Sequence, residues 1–180
     1  FAWLQSNLAH PDLLRKRMAF ILSQIFVINT RSDLFEDFGR LSSVYYDQLE
    51  KNTFKNYRSL IEDVTLSSAM GIFLSHYNNP KEDLANNIHP DENYAREIMQ
   101  LFSIGLWELN QDGSRKYDAQ GQFIPTYSNA DIKEFAQVFT GLSDGTSTGQ
   151  FGADFEEEGE IDAAGVPMKM YPNFHDTSSK

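Results

Sequence analysis

The sequence predicts a mostly α fold, a multi-helix assembly with a small β-hairpin insertion and a long acidic C-terminal loop. Three observations predict it. Apolar residues recur at helical spacing through most of the first 141 positions. Two turn signals, Asp112-Gly113 and Gln120-Gly121, interrupt that period between residues 107 and 127. From Leu142 to Lys180 glycine and acidic residues dominate without helical or strand period. A chain of 180 residues, 41% hydrophobic and 13% aromatic, suffices for one buried core. One domain is therefore expected over 1–180, with a helical body at 1–141 and a loop-rich tail at 142–180.

The elements follow in order. "PDLLRKRMAFILSQIFVIN" puts Leu14, Met18, Ile21, Leu22, Ile25 and Ile28 at helical spacing, with Pro11 suited to a first turn. Phe20, Phe26 and Val27 make this helix apolar nearly all round, so burial on more than one side is expected. Arg17 and Gln24 at its edge would then need polar partners. "LSSVYYDQLEKN" repeats the pattern through Leu41, Val44, Tyr45 and Leu49. "TFKNYRSLIEDVTL" follows, with Thr53 as N-cap and Tyr57, Leu60, Ile61 and Val64 facing inward. "SSAMGIFLSHY" is a shorter helix and "NNPKEDLANNIHP" a loop.

"HPDENYAREIMQLFSIG" turns Tyr94, Ile98, Leu101 and Phe102 to one face and Glu92, Arg96 and Ser103 to another. After the hairpin, helix returns at "SNADIKEFAQVFTG". There Ser128 and Asp131 have capping-box spacing, Ile132, Phe135, Ala136 and Phe139 form the stripe, and Gly141 closes the end. No internal repeat is visible.

Composition removes several function classes. The formal net charge is -11, and no basic stripe interrupts it. Such a surface repels phosphate backbones and anionic lipid, which excludes nucleic-acid binding as an expectation. With no cysteine there is no disulfide, thiolate metal site or cysteine nucleophile. The longest apolar run, Met18 to Ile28, is too short to span a bilayer. The chain starts at Phe1 and is expected to be an internal fragment of a longer protein.

"LLRKRMAFILSQIFV", "YYDQLEKNTFKNYRSLIEDVTLSSAMGIFLS", "HPDENYAREIMQLFSIGLWELNQDG", "IPTYSNADIKEFAQVFTGLS" and the closing "FHDTSSK" closely resemble the bacterial DUF1800 family, a domain of unknown function. The resemblance runs in order over almost the whole chain. It implies an extracytoplasmic setting, periplasmic, cell-surface or secreted, because family members are often exported. It also implies a DUF1501-like partner, a sulfatase-like protein encoded beside them. It brings no established reaction and no catalytic residues.

The densest polar cluster is His89, Glu92, Asn93, Arg96 and Glu97. As a site, His89 and Glu92 would ligate a divalent metal ion or exchange protons, Arg96 would anchor an anion, and His175 with Asp176 would complete the shell. As structure, His89 caps the helix, Pro90 begins it, and Glu92 with Arg96 forms an ion pair within a buried network. Both readings stay open.

"GTSTG", Gly145 to Gly149, fits the nucleophile pattern around Ser147, which works only on a strand-to-helix turn. Glu108, Asn110, Asp112 and Gly113, and separately Asp154, Glu156 and Glu158, imitate calcium-loop positions without the terminal glutamate. The second set stands as a weak cation candidate. Trp3, Trp107, Tyr117 and Tyr127 escape helical spacing and suit a carbohydrate-binding face. The leading expectation is an interaction or scaffold module. The alternative is a metal-assisted hydrolase, and a carbohydrate-binding module follows.

Overall fold

A computed structural model describes residues 11–29, 39–152 and 163–177. Helices dominate it. Helix α1 spans Leu13–Ile25, α2 Gly39–Asn52, α3 Tyr57–Thr65, α4 Ser68–Phe73, α5 Asn93–Gln100 and α6 Asn129–Ala136. Two short strands, β1 at Leu142–Ser143 and β2 at Lys169–Met170, pair antiparallel with Leu142 opposite Met170. Trp3, Asp154, Glu156 and Glu158 lie outside the described residues.

Helix α2 forms as its pattern predicts, with Leu41, Tyr45 and Leu49 buried. Helix α3 is capped by Asn56, whose side chain accepts from the Ser59 N–H, and not by Thr53. The displaced cap turns Tyr57 outward, to half exposure, although its hydroxyl still donates to the Phe102 carbonyl. The capping box of α6 is present, with Ser128 and Asp131 each satisfying the other's backbone.

The expectation for α1 is overturned. Its buried positions are Lys16, Ala19 and Ser23, followed by the fully buried Phe26 beyond its end. Small residues at 19 and 23 let α1 approach α2 closely, while Phe26 fills the core and its carbonyl receives the Tyr45 hydroxyl at 2.8 Å. Most of the larger apolar side chains, Leu14, Phe20, Ile21 and Ile25 among them, are left outside. Arg17 and Gln24 are exposed, so they need no buried partner.

The core gathers Tyr45, Leu49, Val64, Met70, Tyr94, Phe102, Ile132 and Phe139. The tail also contributes, contrary to a plain loop. Ala164 and Met168 are buried, and the Met168 N–H donates to the Leu66 carbonyl at 2.7 Å. Residues 163–170 thus return along α2–α4, far from the sequence neighbours that would have revealed it.

The hairpin excursion is a three-sided turret. Backbone bonds close a ring among positions 108, 116 and 124: Lys116 N to Glu108 O at 2.9 Å, Ile124 N to Lys116 O at 3.2 Å, and Glu108 N to Ile124 O at 2.9 Å. Successive positions in the ring lie eight residues apart. Gly105, Gly113 and Gly121 share that step and all take positive φ, 75°, 82° and 77°. An eight-residue repeat was therefore present in the sequence, signalled by glycine spacing. On the turret, Arg115 lies over Phe123 at 4.7 Å and over Trp107 at 5.7 Å.

Candidate functional site

The loop before α5 is built by Asp83. Its backbone pairs with Ile88 in both directions, at 2.9 and 3.0 Å, and its carboxylate accepts from Ala85 N, Asn86 N and the Asn86 amide. The Asn86 amide, ahead of the backbone bonds, holds the Asp83 carboxyl below the usual carboxylate range. Pairing 83 with 88 sets Glu82 beside His89, and the His89 Nδ1 lies 3.3 Å from Glu82 Oε1. His89 therefore faces Glu82 and is not the helix cap. The helix begins at Asn93, with the Asp91 carboxylate accepting its N–H, so Pro90 precedes it.

Asn79, which no sequence pattern marks, anchors this loop. It is buried, and its side chain accepts from the Asp91 N–H at 2.9 Å. With the loop so held, Glu82, His89, Pro90 and Glu92 face Lys133 and Gln137 of the following helical stretch across a hollow of about 360 Å³. An imidazole, two carboxylates and an ammonium group meet there.

Glu92 also holds Arg96, with Nη2 to Oε2 at 3.1 Å and side chains 33% and 40% exposed. This pair is a surface bridge on one helix face, and the expected buried network around it is absent among the described residues. It divides two hollows. Beyond it, Arg96 and Gln100 join Trp107, Tyr127, Asn129 and Ile132 around a second space of about 330 Å³. The Tyr127 hydroxyl and Glu97 Oε2 are both buried without a hydrogen-bond partner. Desolvation raises the Tyr127 pKa, Arg96 opposes this, and Glu97 adds to it. Asn93 is exposed.

His175 and Asp176 are engaged at the end of the helical stretch that follows α6. The His175 Nδ1–H donates to the Thr140 carbonyl at 2.8 Å, and the Asp176 N–H donates to Thr140 Oγ1 at 2.9 Å. Because a carbonyl only accepts, the proton sits on His175 Nδ1. The tail is thereby tied to Thr140 rather than to His89 and Glu92. Among the described residues, no three or more His, Asp or Glu side chains are grouped to hold a metal ion.

Ser147 is exposed on a bend that follows β1, with no α-helix after it among the described residues, so the strand-to-helix turn is missing. Gly145 instead packs under the tail, where an added Cβ would lie 1.8 Å from the Pro167 carbonyl oxygen. Glu108 pairs with Lys116, and Asp112 accepts from the Ser114 N–H and hydroxyl, so this set serves the turret's turns.

A family model described as "Protein of unknown function (DUF1800)" matches residues 1–180. The chain belongs to the DUF1800 family. Comparison with curated proteins and with solved structures finds no match. In this DUF1800 chain no described helix is long and apolar enough to cross a membrane.

Proposed function

We propose that this DUF1800 chain is a protein-interaction module that docks a partner on the outward face of α1. One observation carries the reading: Leu14, Ile21 and Ile25 are 66%, 50% and 42% exposed along one helix, with Leu13 and Val27 beside them. Apolar side chains grouped in this way mark association surfaces. Arg17 and Gln24 interrupt the stripe and supply polar contacts at its edge. Arg15 and Lys16 of this helix are engaged by Asp12 and Glu50, and the chain's net charge of -11 repels anionic lipid, so a protein surface is favoured over an anionic membrane as the occupant. By family resemblance the partner is a DUF1501-like protein, and the setting is extracytoplasmic in a bacterium.

The test is the affinity of the purified chain for that DUF1501-like protein, measured for the wild type and Ile21→Glu. A charge at an apolar interface should weaken binding by more than about tenfold with the circular dichroism spectrum unchanged. Failure of the wild type to bind, or equal binding by the variant, overturns the reading.

A second reading is favoured by one observation, the meeting of Glu82, His89, Glu92 and Lys133 around one hollow. These groups suit general acid–base hydrolysis. His89→Gln would then abolish turnover of a hydrolysable substrate, and retained turnover would remove the reading.

A further inference from the structure

We infer that the occupant of the outward face of α1 is an amphipathic helix of the partner, with carboxylates along one flank. The inference rests on the docking reading of that face. Leu14, Met18, Ile21 and Ile25 follow one another at intervals of four, three and four residues, the alternation of a helix-pairing seam. At 100° per residue this seam lies about 180° from Lys16, Ala19 and Ser23, the side buried where α1 packs on α2. Leu14, Ile21 and Ile25 are exposed and Met18 is half-buried, so the described residues leave the seam largely uncovered. Helix α1 runs 13 residues, about 20 Å or nearly two heptads. Because it is already folded on α2, a pairing helix meets a formed partner.

The chemistry of the face selects both a helix and the sign of its charge. An extended segment laid on Ile21 and Ile25 would turn backbone N–H and C=O groups toward hydrocarbon, whereas a helix satisfies its own. Arg17 and Gln24, seven residues apart and exposed, line one flank of the seam. Arg17 takes part in none of the ion pairs of the described residues, although Arg15 pairs with Asp12 and Lys16 with Glu50. An acid opposite Arg17 completes that flank, as flanking charges do in paired helices. A second copy of α1 cannot supply it, because LLRKRMAFILSQI contains no acidic residue and the copy brings a further charge of -11.

The probe is a synthetic three-heptad peptide with leucine at the a and d positions and glutamate at e and g. It is offered to the full chain at about 0.15 M salt, where distant charges are screened. One control peptide carries lysine at e and g, and another a central proline that breaks the helix. The glutamate peptide should bind and gain helicity, and the proline peptide should bind more than about tenfold less tightly. Ile21→Glu should weaken the glutamate peptide by more than about tenfold with the chain's own circular dichroism spectrum unchanged. Arg17→Glu should weaken it about threefold and strengthen the lysine peptide. No binding of the glutamate peptide, equal binding of the proline peptide, or an Arg17→Glu variant that binds both charged peptides as the wild type does overturns the inference. So does a dimer in sedimentation, or binding to phosphatidylglycerol vesicles, that Ile21→Glu abolishes, since either names another occupant. Failure here is distinct from failure of docking. A DUF1501-like protein that binds the wild type and not Ile21→Glu, with no peptide binding, keeps the docking face and removes the helix.

Discussion

His76 lies flat against Tyr94, with ring centroids 3.9 Å apart and planes 25° from parallel. Its Nε2 donates to the Thr65 carbonyl at 2.9 Å, and its Nδ1 is buried without a partner. The Tyr94 hydroxyl meets Thr65 Oγ1 at 2.7 Å, so one helix end holds both rings.

This burial predicts an acid-sensitive fold. Desolvation lowers the His76 pKa from 6.5 to about 4, against a smaller opposing effect of the Thr65 bond. A depressed histidine pKa means that the unfolded chain binds the proton first. Its contribution is fully present above about pH 6.5 and is lost as pH falls toward about 4, ~3 kcal/mol across the window. Urea midpoints between those pH values should fall accordingly, and His76→Phe should remove that part of the slope. The raised Tyr94 pKa acts at the other end, where stability is lost as pH rises past the ordinary phenol range.

Two ion pairs should differ in weight. Lys16 and Glu50 join α1 to α2 with side chains only 11% and 18% exposed. Lys16→Met strands the Glu50 charge and should cost about 3 kcal/mol, most of it recovered when Glu50→Leu is added. Arg96 and Glu92 are far more exposed, so Arg96→Met should cost no more than about 0.5 kcal/mol. Chemical denaturation of the two single variants and the double variant measures both, and equal costs would show that burial does not rank them.

The GTSTG segment gives a third contrast. A Cβ at Gly145 would overlap the Pro167 carbonyl, which is backbone and cannot swing aside. Gly145→Ala should therefore destabilise the protein by about 1–3 kcal/mol and expose residues 163–168 to amide exchange. Ser147→Ala, at an exposed position, should change stability by less than about 0.5 kcal/mol. An intact melting temperature for Gly145→Ala would remove the packing role assigned to that glycine.

The sequence by itself determined the local events. Helices α2 and α3, the Ser128–Asp131 capping box, the turns at Gly113 and Gly121, and the family followed from period, cap chemistry and extended phrases. Apart from the family phrases, those signals lie within a few residues of one another. Tertiary structure decided what depends on distant neighbours. Apolar content pointed to burial of α1 on more than one side, whereas close approach to α2 selected the small Ala19 and Ser23 over larger side chains. Residues 76 and 94 share a core, and Trp107 and Tyr127 share a hollow, because packing brought separate elements together. No spacing rule reaches across such separations, whereas burial and unpaired polar atoms show them directly.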